Sequence, residues 1–290
     1  MQIIDTVIAL RSALSQQANI AFVPTMGNLH AGHIQLVELA KKHAECVVVS
    51  VFVNPLQFGA NEDLASYPRT LEADCAKLKA AGASIVFTPS VAEMYPDFDG
   101  VNLNQTMTIE PPTIANVLCG ASRPGHFSGV ATVVMKLFNM VKPNIAVFGQ
   151  KDFQQLFIIK QMVKQFNLAI EIIAAETARE ADGLAMSSRN GYLSAEERVA
   201  APYLNAVLSH IKAAIDAGNY DYASLEQQAT ENLTKAGWAV DYISVREAAS
   251  LLPPLVGLTN KAGLEHNAPQ LVVLGAAKCG KTRLIDNLLI

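Results

Sequence analysis

Two histidines close a short turn that follows an apolar run. Residues 20–36, IAFVPTMGNLHAGHIQL, have the pattern of a strand, a turn containing Gly27 and a helix that starts around Gly32. His30 and His33 therefore fall beside a helix N-terminus, where backbone N–H groups and the helix dipole favour a phosphate. Imidazole donors at that point indicate a nucleotide-phosphate site.

The same pair, spaced H-x-x-H, could instead ligate a metal or be structural. A zinc site needs further ligands, and the remaining histidines stand in no ligand-type spacing with the pair. They are His43, His126, His210 and His266. We favour phosphate binding on this count and keep metal binding and a structural role as alternatives.

A second segment fits a nucleotide-binding pattern at every position. GAAKCGKT, Gly275–Thr282, matches the phosphate-loop pattern G-x-x-x-x-G-K-[ST]. A working phosphate loop leads into a helix that faces the phosphates and crosses to a further strand. Residues 283–290 could make only about two helical turns. We therefore expect two strands, 270–277 and 282–287, joined by a tight turn at Gly280, and we place the nucleotide elsewhere.

The composition is that of a folded protein without bulk affinity for nucleic acid or membranes. Of 290 residues, 51% are hydrophobic, and the formal net charge is −4. An anion site must therefore be built from a few local groups. Apolar runs such as residues 46–53 are far shorter than the roughly 18–20 residues of a membrane span. We expect neither nucleic-acid nor membrane binding.

The N-terminal residues and the cysteines both predict a cytoplasmic protein. The start, MQIIDTVIALRSALSQQ, lacks a basic segment and a small-residue cleavage site. Its apolar residues recur at helical spacing and predict a first helix; they are Ile4, Ile8, Leu10 and Leu14. The cysteines are far apart and form no C-x-x-C pair, which is typical of reduced thiols; they are Cys46, Cys75, Cys119 and Cys279.

Short β-rich runs alternate with helix-patterned segments through the first 180 residues. The predicted strands are 20–24, 46–53, 84–89, 145–149 and 170–176, and the predicted helices lie near 32–44, 69–81, 129–141 and 153–166. This β-α-β-α order predicts an α/β fold with a doubly wound, parallel, Rossmann-like sheet. Ligands in such sheets bind beyond the carboxyl ends of the strands.

The pattern changes after Asn190. Two charged helical stretches and three strand-like runs follow, at 194–217 and 222–236 and then at 240–247, 270–275 and 282–287. They predict a second, smaller α+β domain. We place the boundary near residue 180, which gives domains 1–180 and 181–290.

Five blocks of sequence carry a family resemblance. They are PTMGNLHAGH from Pro24, FVNPLQF from Phe52, SRPGHFSGVATVVMKLFN from Ser122, FGQKDFQQL from Phe148 and DGLAMSSRNGYLS from Asp182. The first is similar to the HxGH signature of a nucleotidyltransferase superfamily. Taken in order and spacing, the five closely resemble the pantothenate synthetase (pantoate-beta-alanine ligase) family. The likeness includes the strand-turn-strand tail that ends in TRLIDN.

The resemblance implies an ATP-dependent amide synthesis. Pantoate carboxylate would attack the α-phosphorus of ATP and release pyrophosphate, and the amine of β-alanine would then displace AMP from the pantoyl adenylate. The first step builds charge on the phosphates, so it needs cations and donors around them together with Mg²⁺. The resemblance also implies a homodimer, and a second domain that closes over the ATP site.

The resemblance assigns roles to residues in each block. The ATP-binding residues would be Met26, Gly27, Asn28, Leu29, His30, Ala31, Gly32, His33, Gly149, Gln150, Lys151, Asp152, Ala178, Met186, Ser187, Ser188 and Arg189. Among them His30, His33, Lys151 and Arg189 would be catalytic, with His33 as the proton donor to the leaving group. The residues binding pantoate or β-alanine would be Asn54, Gln57, Tyr67, Arg123 and Gln155, and Asp74 would contact the magnesium ion.

The residues by themselves leave other interpretations open. Without the family, Lys151 and Asp152 could form a solvated helix start with Asp as a cap, and SSRN could be a polar turn. A phosphate-loop ATPase using Lys281 and a nonenzymatic nucleotide-binding module are the alternative functions. The related tRNA synthetases carry anticodon-binding domains, and at this length and acidic charge we expect no tRNA binding.

Overall fold

The computed structural model describes residues 1–59, 62, 64–254 and 269–290. The described strands are β1 (Gln2–Ile4), β2 (Ile20–Thr25), β3 (Cys46–Val51), β4 (Ile85–Phe87), β5 (Ile145–Gly149), β6 (Glu171–Ala175), β7 (Ala239–Glu247), β8 (Leu271–Cys279) and β9 (Thr282–Leu289). The described α-helices are α1 (Val7–Leu14), α2 (Ala31–Lys41), α3 (Leu71–Ala81), α4 (Val91–Met94), α5 (Cys119–Ser122), α6 (His126–Val141), α7 (Phe153–Gln165), α8 (Ala195–Ala200), α9 (Tyr203–Asp216) and α10 (Tyr222–Lys235). Short 3-10 turns cover Pro55–Gln57, Thr113–Asn116, Gln150–Asp152 and Ser188–Tyr192.

The chain divides into two compact units. The first comprises residues 1–150 and 155–176, and the second comprises 151–154 and 177–290. The short segment 151–154, which includes Lys151, thus groups with the second unit although it begins only two residues after the end of β5. In the described part of the chain, no helix is both long enough and apolar enough to cross a membrane.

The first unit is built on a parallel sheet. Its strand order is β1-β4-β3-β2-β5-β6, and all five pairings are parallel. The central strands are apolar runs buried on both faces, as a parallel sheet covered by helices requires. The predicted doubly wound α/β fold is confirmed.

The carboxyl ends of three neighbouring strands define one edge of this sheet. β2 lies between β3 and β5, and the three strands end at Thr25, Val51 and Gly149. Because parallel strands end at the same edge, the segments that leave β2, β3 and β5 begin side by side. These segments carry the histidine turn, the run NPLQ after β3 and the start of GQKD.

The second unit holds an antiparallel sheet of β7, β8 and β9 in that order. Helices α9 and α10 cover it, with Leu208, Ile211 and Leu233 fully or almost fully buried in its core. β8 and β9 pair directly from Cys279 and Thr282 outward, so GAAKCGKT forms a hairpin. The predicted hairpin is confirmed, and β9 follows the turn where a phosphate loop would have its helix.

Two predicted helices are wrong in part. The first residues form β1, which pairs with β4, and the helix begins only at Val7 behind the cap Thr6; Ile8 is 84% exposed. An edge strand of three residues is too short to show an alternating pattern, so the helical spacing dominated. The predicted helix 194–217 is two helices, α8 and α9, because Pro202 has no N–H for continuing the first one.

Candidate active site

The histidine turn is held by its own side chains. Nδ1 of His30 accepts a hydrogen bond from the Gly32 amide at 3.2 Å, and Nδ1 of His33 accepts one from the His30 amide at 3.3 Å. This reciprocal arrangement caps α2, and the two rings lie 4.0 Å apart. Since each Nδ1 is an acceptor, the proton of each neutral ring is assigned to Nε2. The cap therefore uses the Nδ1 atom of each ring.

A buried carboxylate fixes the backbone that precedes the histidines. Asp74, on α3, is fully buried and accepts hydrogen bonds from the amides of Asn28 and Leu29, both at 2.8 Å. Its Oδ2 also accepts from the hydroxyl of Thr70 at 3.1 Å. The Leu29 carbonyl is bound by Nζ of Lys77 at 2.6 Å. The turn is thereby held on both its N–H and its C=O groups.

Gly27 makes this tight turn possible. Its φ is +80°, a left-handed conformation that side chains rarely adopt, and a Cβ atom there would lie 3.0 Å from the side chain of Val51. Asn28 also has a positive φ, of 50°. The local sequence MGN therefore suits the backbone path that brings the two amides to Asp74.

Two amide side chains lie beyond the end of β3. Asn54 is 1% exposed; its Nδ2 donates to Oε1 of Gln57 at 3.0 Å, and its Oδ1 accepts from the hydroxyl of Tyr95. Nε2 of Gln57 donates to Sδ of Met26 at 3.2 Å. A thioether is a weak acceptor, so a carboxylate or hydroxyl oxygen would be a better partner for this amide. Burial raises the pKa of Tyr95, which keeps its hydroxyl a donor.

A glycine brings helix α6 against this pair. A Cβ atom at Gly129 would lie 2.4 Å from the carbonyl oxygen of Leu56 and 2.7 Å from Cα of Gln57. The Gly129 carbonyl in turn accepts from Nδ2 of Asn54 at 3.3 Å. Only glycine permits this close approach of two backbones, so Gly129 helps to set the position of Gln57.

The other residues predicted to bind substrate have different surroundings. Arg123 forms a two-pronged ion pair with Glu62, at 2.7 and 2.6 Å, and its Nη1 lies 2.9 Å from Nε2 of His126. His126 Nδ1 in turn lies 2.9 Å from the Gln57 carbonyl oxygen. Arg123 thus supports the Gln57 segment through His126. Tyr67 is buried with its ring 5.8 Å from that of Phe58, and Gln155 is half-buried in the first turn of α7.

The segment after β5 provides a cation. Gly149 ends the strand, and Gln150, Lys151 and Asp152 form a 3-10 turn that leads into α7. Nζ of Lys151 lies 3.8 Å from the carboxylate of Asp152, a distance at the outer limit of an ion pair. The Lys151 side chain is 21% exposed, so its ammonium is partly shielded from solvent.

In the second unit, residues 178–190 form a hydrogen-bonded loop. The Met186 amide donates to the Ala178 carbonyl at 2.9 Å, and Arg179 and Ala185 form a β-bridge. Ser187 then caps a 3-10 turn, its Oγ accepting from the Arg189 amide at 3.2 Å. These contacts bring Ala178 and Met186 together and place Ser187, Ser188 and Arg189 in succession on one turn.

Asp74 does not fit the predicted role of magnesium ligand. Three of the lone-pair positions of its carboxylate are occupied by the hydrogen bonds just described, and its side chain is closed to solvent. Among the described residues, no group of three or more His, Cys, Asp and Glu side chains could hold a metal ion. The observed role of Asp74 is to fix the histidine turn.

Comparison with known proteins supplies the family. A model of the pantoate-beta-alanine ligase family matches residues 2–289. The chain belongs to that family. A pantothenate synthetase of Methylobacillus flagellatus is 60% identical over 288 residues, which cover 99% of this chain and 98% of that protein. A second, of Thiobacillus denitrificans, is 56% identical over 289 residues, covering 99% and 96%.

Solved structures of family members have the same fold. The crystal structure of pantothenate synthetase from Thermus thermophilus matches with a TM-score of 0.88 at 40% identity, covering 99% of each chain. Pantoate-beta-alanine ligase from Francisella tularensis, complexed with beta-gamma ATP and beta-alanine, matches with a TM-score of 0.79 at 36% identity, covering 100% of this chain and 97% of that one. The family resemblance inferred from the sequence is confirmed.

Several supporting residues were not anticipated from the sequence. Lys77, Tyr95 and His126 each bind a predicted site residue or its backbone, and Asp286 and Asn287 bind parts of the second unit. The buried pair Asp286 and Asn287 is visible in the sequence, because these two polar residues interrupt an otherwise strand-like run. Lys77, Tyr95 and His126 do not interrupt the pattern of the sequence around them. Their spacing along the chain therefore does not indicate these contacts.

Proposed function

We propose that this chain condenses (R)-pantoate with β-alanine to form pantothenate, using ATP and releasing AMP and pyrophosphate. It does so as a pantoate-beta-alanine ligase, through a pantoyl adenylate. The observation that carries the proposal is the turn after β2, where the imidazole rings of His30 and His33 lie at the N-terminus of α2 and bind its backbone amides through Nδ1. Imidazole N–H groups and helix N-terminal amides at such a turn suit the oxygens of a triphosphate.

In the first step a carboxylate oxygen of pantoate attacks the α-phosphorus, and the bond to the pyrophosphate oxygen breaks. We assign His30 and His33 to the phosphate oxygens, with His33 as proton donor to the leaving group. Lys151 supplies positive charge near the α-phosphate. The hydroxyls of Ser187 and Ser188 and the guanidinium of Arg189 bind the outer phosphates.

In the second step the amine of β-alanine attacks the acyl carbon, the bond to AMP breaks, and the nitrogen releases a proton to the departing phosphate or to solvent. We propose that Gln57 exchanges its weak contact to the Met26 sulfur for an oxygen of pantoate. Asn54 holds Oε1 of Gln57, so the amide is oriented before substrate arrives. Gln155 and Tyr67 are assigned to the same substrates by the resemblance, and Arg123 supports Gln57 through His126.

We propose that Mg²⁺ enters with ATP, bound by phosphate oxygens and water as is usual for this ion. When bound, it neutralises charge on the phosphates. This assignment predicts that Asp74→Asn weakens activity by loosening the histidine turn, and that added Mg²⁺ does not restore the activity. Full restoration by Mg²⁺ would instead make Asp74 a metal ligand.

We further propose a cytoplasmic homodimer. The four cysteines Cys46, Cys75, Cys119 and Cys279 form no disulfide with one another, as expected in a reducing compartment. Sedimentation analysis tests the oligomeric state, and a monomer at assay concentration would reject the homodimer.

Isotope transfer tests the reaction directly. The protein is incubated with ATP, β-alanine and pantoate labelled with ¹⁸O in its carboxylate. The ¹⁸O content of each product is then measured by mass spectrometry. The adenylate route transfers one labelled oxygen into AMP, with unlabelled pyrophosphate. Label in inorganic phosphate together with ADP would reject the proposal. Omission of pantoate should abolish pyrophosphate release.

A matched pair of histidines tests the site. His33→Gln removes the proposed proton donor, and loss of general acid catalysis typically lowers kcat by about 10²- to 10⁴-fold. His43→Gln is the control, because His43 is an exposed residue just beyond α2. Equal activity of the two variants would remove His33 from the mechanism.

A further inference from the structure

Two buried polar residues stand side by side in the last strand. Asp286 is 4% exposed and Asn287 is 5% exposed. Up to that point β9 alternates regularly, with Thr282 and Leu284 buried and Arg283 and Ile285 half-buried. Burying a polar group costs free energy unless the group is hydrogen-bonded. We therefore expect hydrogen-bond partners for both side chains. We name it the β9 pair.

Asn287 binds the backbone of the proposed catalytic lysine. Its Nδ2 donates to the carbonyl oxygen of Lys151 at 2.8 Å. The two residues are 136 positions apart in the chain and lie in the same compact unit. The bond therefore fixes the turn from which the Lys151 ammonium extends.

Asp286 binds the loop that carries Ala178 and Met186. Its two carboxylate oxygens accept from Nη1 and Nη2 of Arg179 at 2.7 and 2.9 Å, a two-pronged pair. Arg179 continues to the carbonyl of Gly183 at 3.0 Å, across the same loop. Asn205 donates to Asp286 at 3.0 Å, so the carboxylate itself is fixed.

We propose that the β9 pair positions two separate parts of the ATP site, with Asn287 acting through Lys151 and Asp286 through Arg179 and the 178–186 loop. Neither residue is assigned a contact with substrate. The proposal rests on the proposed function, because it needs Lys151 and the loop to act on ATP. The proposal gives the strand that follows the GAAKCGKT turn an indirect role in nucleotide binding.

The two residues should have different kinetic effects. Asn287→Ala frees the Lys151 backbone, and a misplaced catalytic group costs up to about a hundredfold; we expect kcat to fall at least about tenfold. Asp286→Asn keeps the size but loses the charge held by Arg179, so we expect the KM for ATP to rise several-fold. Asp241→Asn is the control, because it breaks the ion pair of Asp241 on β7 with Arg283 on β9, in the same sheet.

A double-mutant cycle separates positioning from stability. If Asn287 acts through Lys151, Asn287→Ala should lower kcat at least about tenfold in the native background and less than twofold with Lys151→Ala present. If the alanine variant folds poorly, Asn287→Asp replaces it as the test variant, because it keeps the shape of the side chain and loses the N–H donor. Equal losses in both backgrounds, or a loss matched by Asp241→Asn, would overturn the proposal. If the native protein forms no AMP from pantoate and ATP, the proposed function has failed instead.

Discussion

Two lysines in this chain, Lys151 and Lys281, follow a glycine within two residues, and the elements around them differ. Lys151 leaves the carboxyl end of the parallel strand β5 and enters a helix, with its backbone carbonyl bound by Asn287. Lys281 sits exposed at the turn between the antiparallel strands β8 and β9. The element that follows a turn thus decides whether its amides converge on an anion. The segment with the better match to a phosphate-loop pattern is the one without that element.

The largest effect should come from the lysine after β5. Lys151→Ala removes the proposed charge contact with the α-phosphate, and losing one such transition-state contact costs about 2.7–4 kcal/mol, or 10²- to 10³-fold in kcat. Pyrophosphate release under saturating substrates measures it. Lys160→Ala, an exposed lysine on α7, is the matched control. Turnover of Lys151→Ala near that of the control would remove the distinction between the two lysines.

A smaller but still large effect should follow at Gly129, where the first unit brings two backbones together. A Cβ atom in Gly129→Ala meets the carbonyl of Leu56 at 2.4 Å, and neither backbone can yield cheaply. Overpacking of this kind costs about 1–3 kcal/mol. We expect a lower melting temperature and a higher KM for pantoate, because the Gln57 segment must shift. A variant with unchanged KM would show that Gln57 does not bind pantoate.

The sequence predicted the sheet and the histidine turn, and it did not predict what fixes them. β2, β3 and β5 are apolar runs of the required length, and the position of His30 and His33 follows from the strand before them. Asp74 lies 46 positions from the Asn28 amide it binds, and Asn287 lies 136 positions from Lys151. The spacing of residues along the chain does not predict such long-range contacts, because they form only when the strands have assembled into the sheets. The same reason explains β1, which is a strand only because β4 lies beside it.

The first glycine of the terminal motif should matter for packing alone. Gly275 lies within β8, and a Cβ atom there would come 2.9 Å from Cδ1 of Ile243 and 3.1 Å from Cδ2 of Leu208. These are the ends of side chains that can move, so Gly275→Ala should cost about 1 kcal/mol, at the low end of overpacking. Thermal unfolding should show a modest decrease in melting temperature, and kcat per folded molecule should be unchanged. A selective loss of ATP binding would instead show that Gly275 belongs to a nucleotide-binding site.

The smallest effect should come from Lys281, the residue that the phosphate-loop pattern would make essential. Lys281→Ala removes an exposed side chain from a hairpin turn whose strands pair directly on either side. Surface changes of this kind usually stay within about 0.5 kcal/mol, so kcat/KM for ATP should remain within about twofold of the native value. Steady-state kinetics with ATP varied at saturating pantoate and β-alanine measure it, beside Lys151→Ala prepared in the same way. A hundredfold loss would mean that the hairpin turn itself binds the triphosphate, and the contrast between the two lysines would then be reversed.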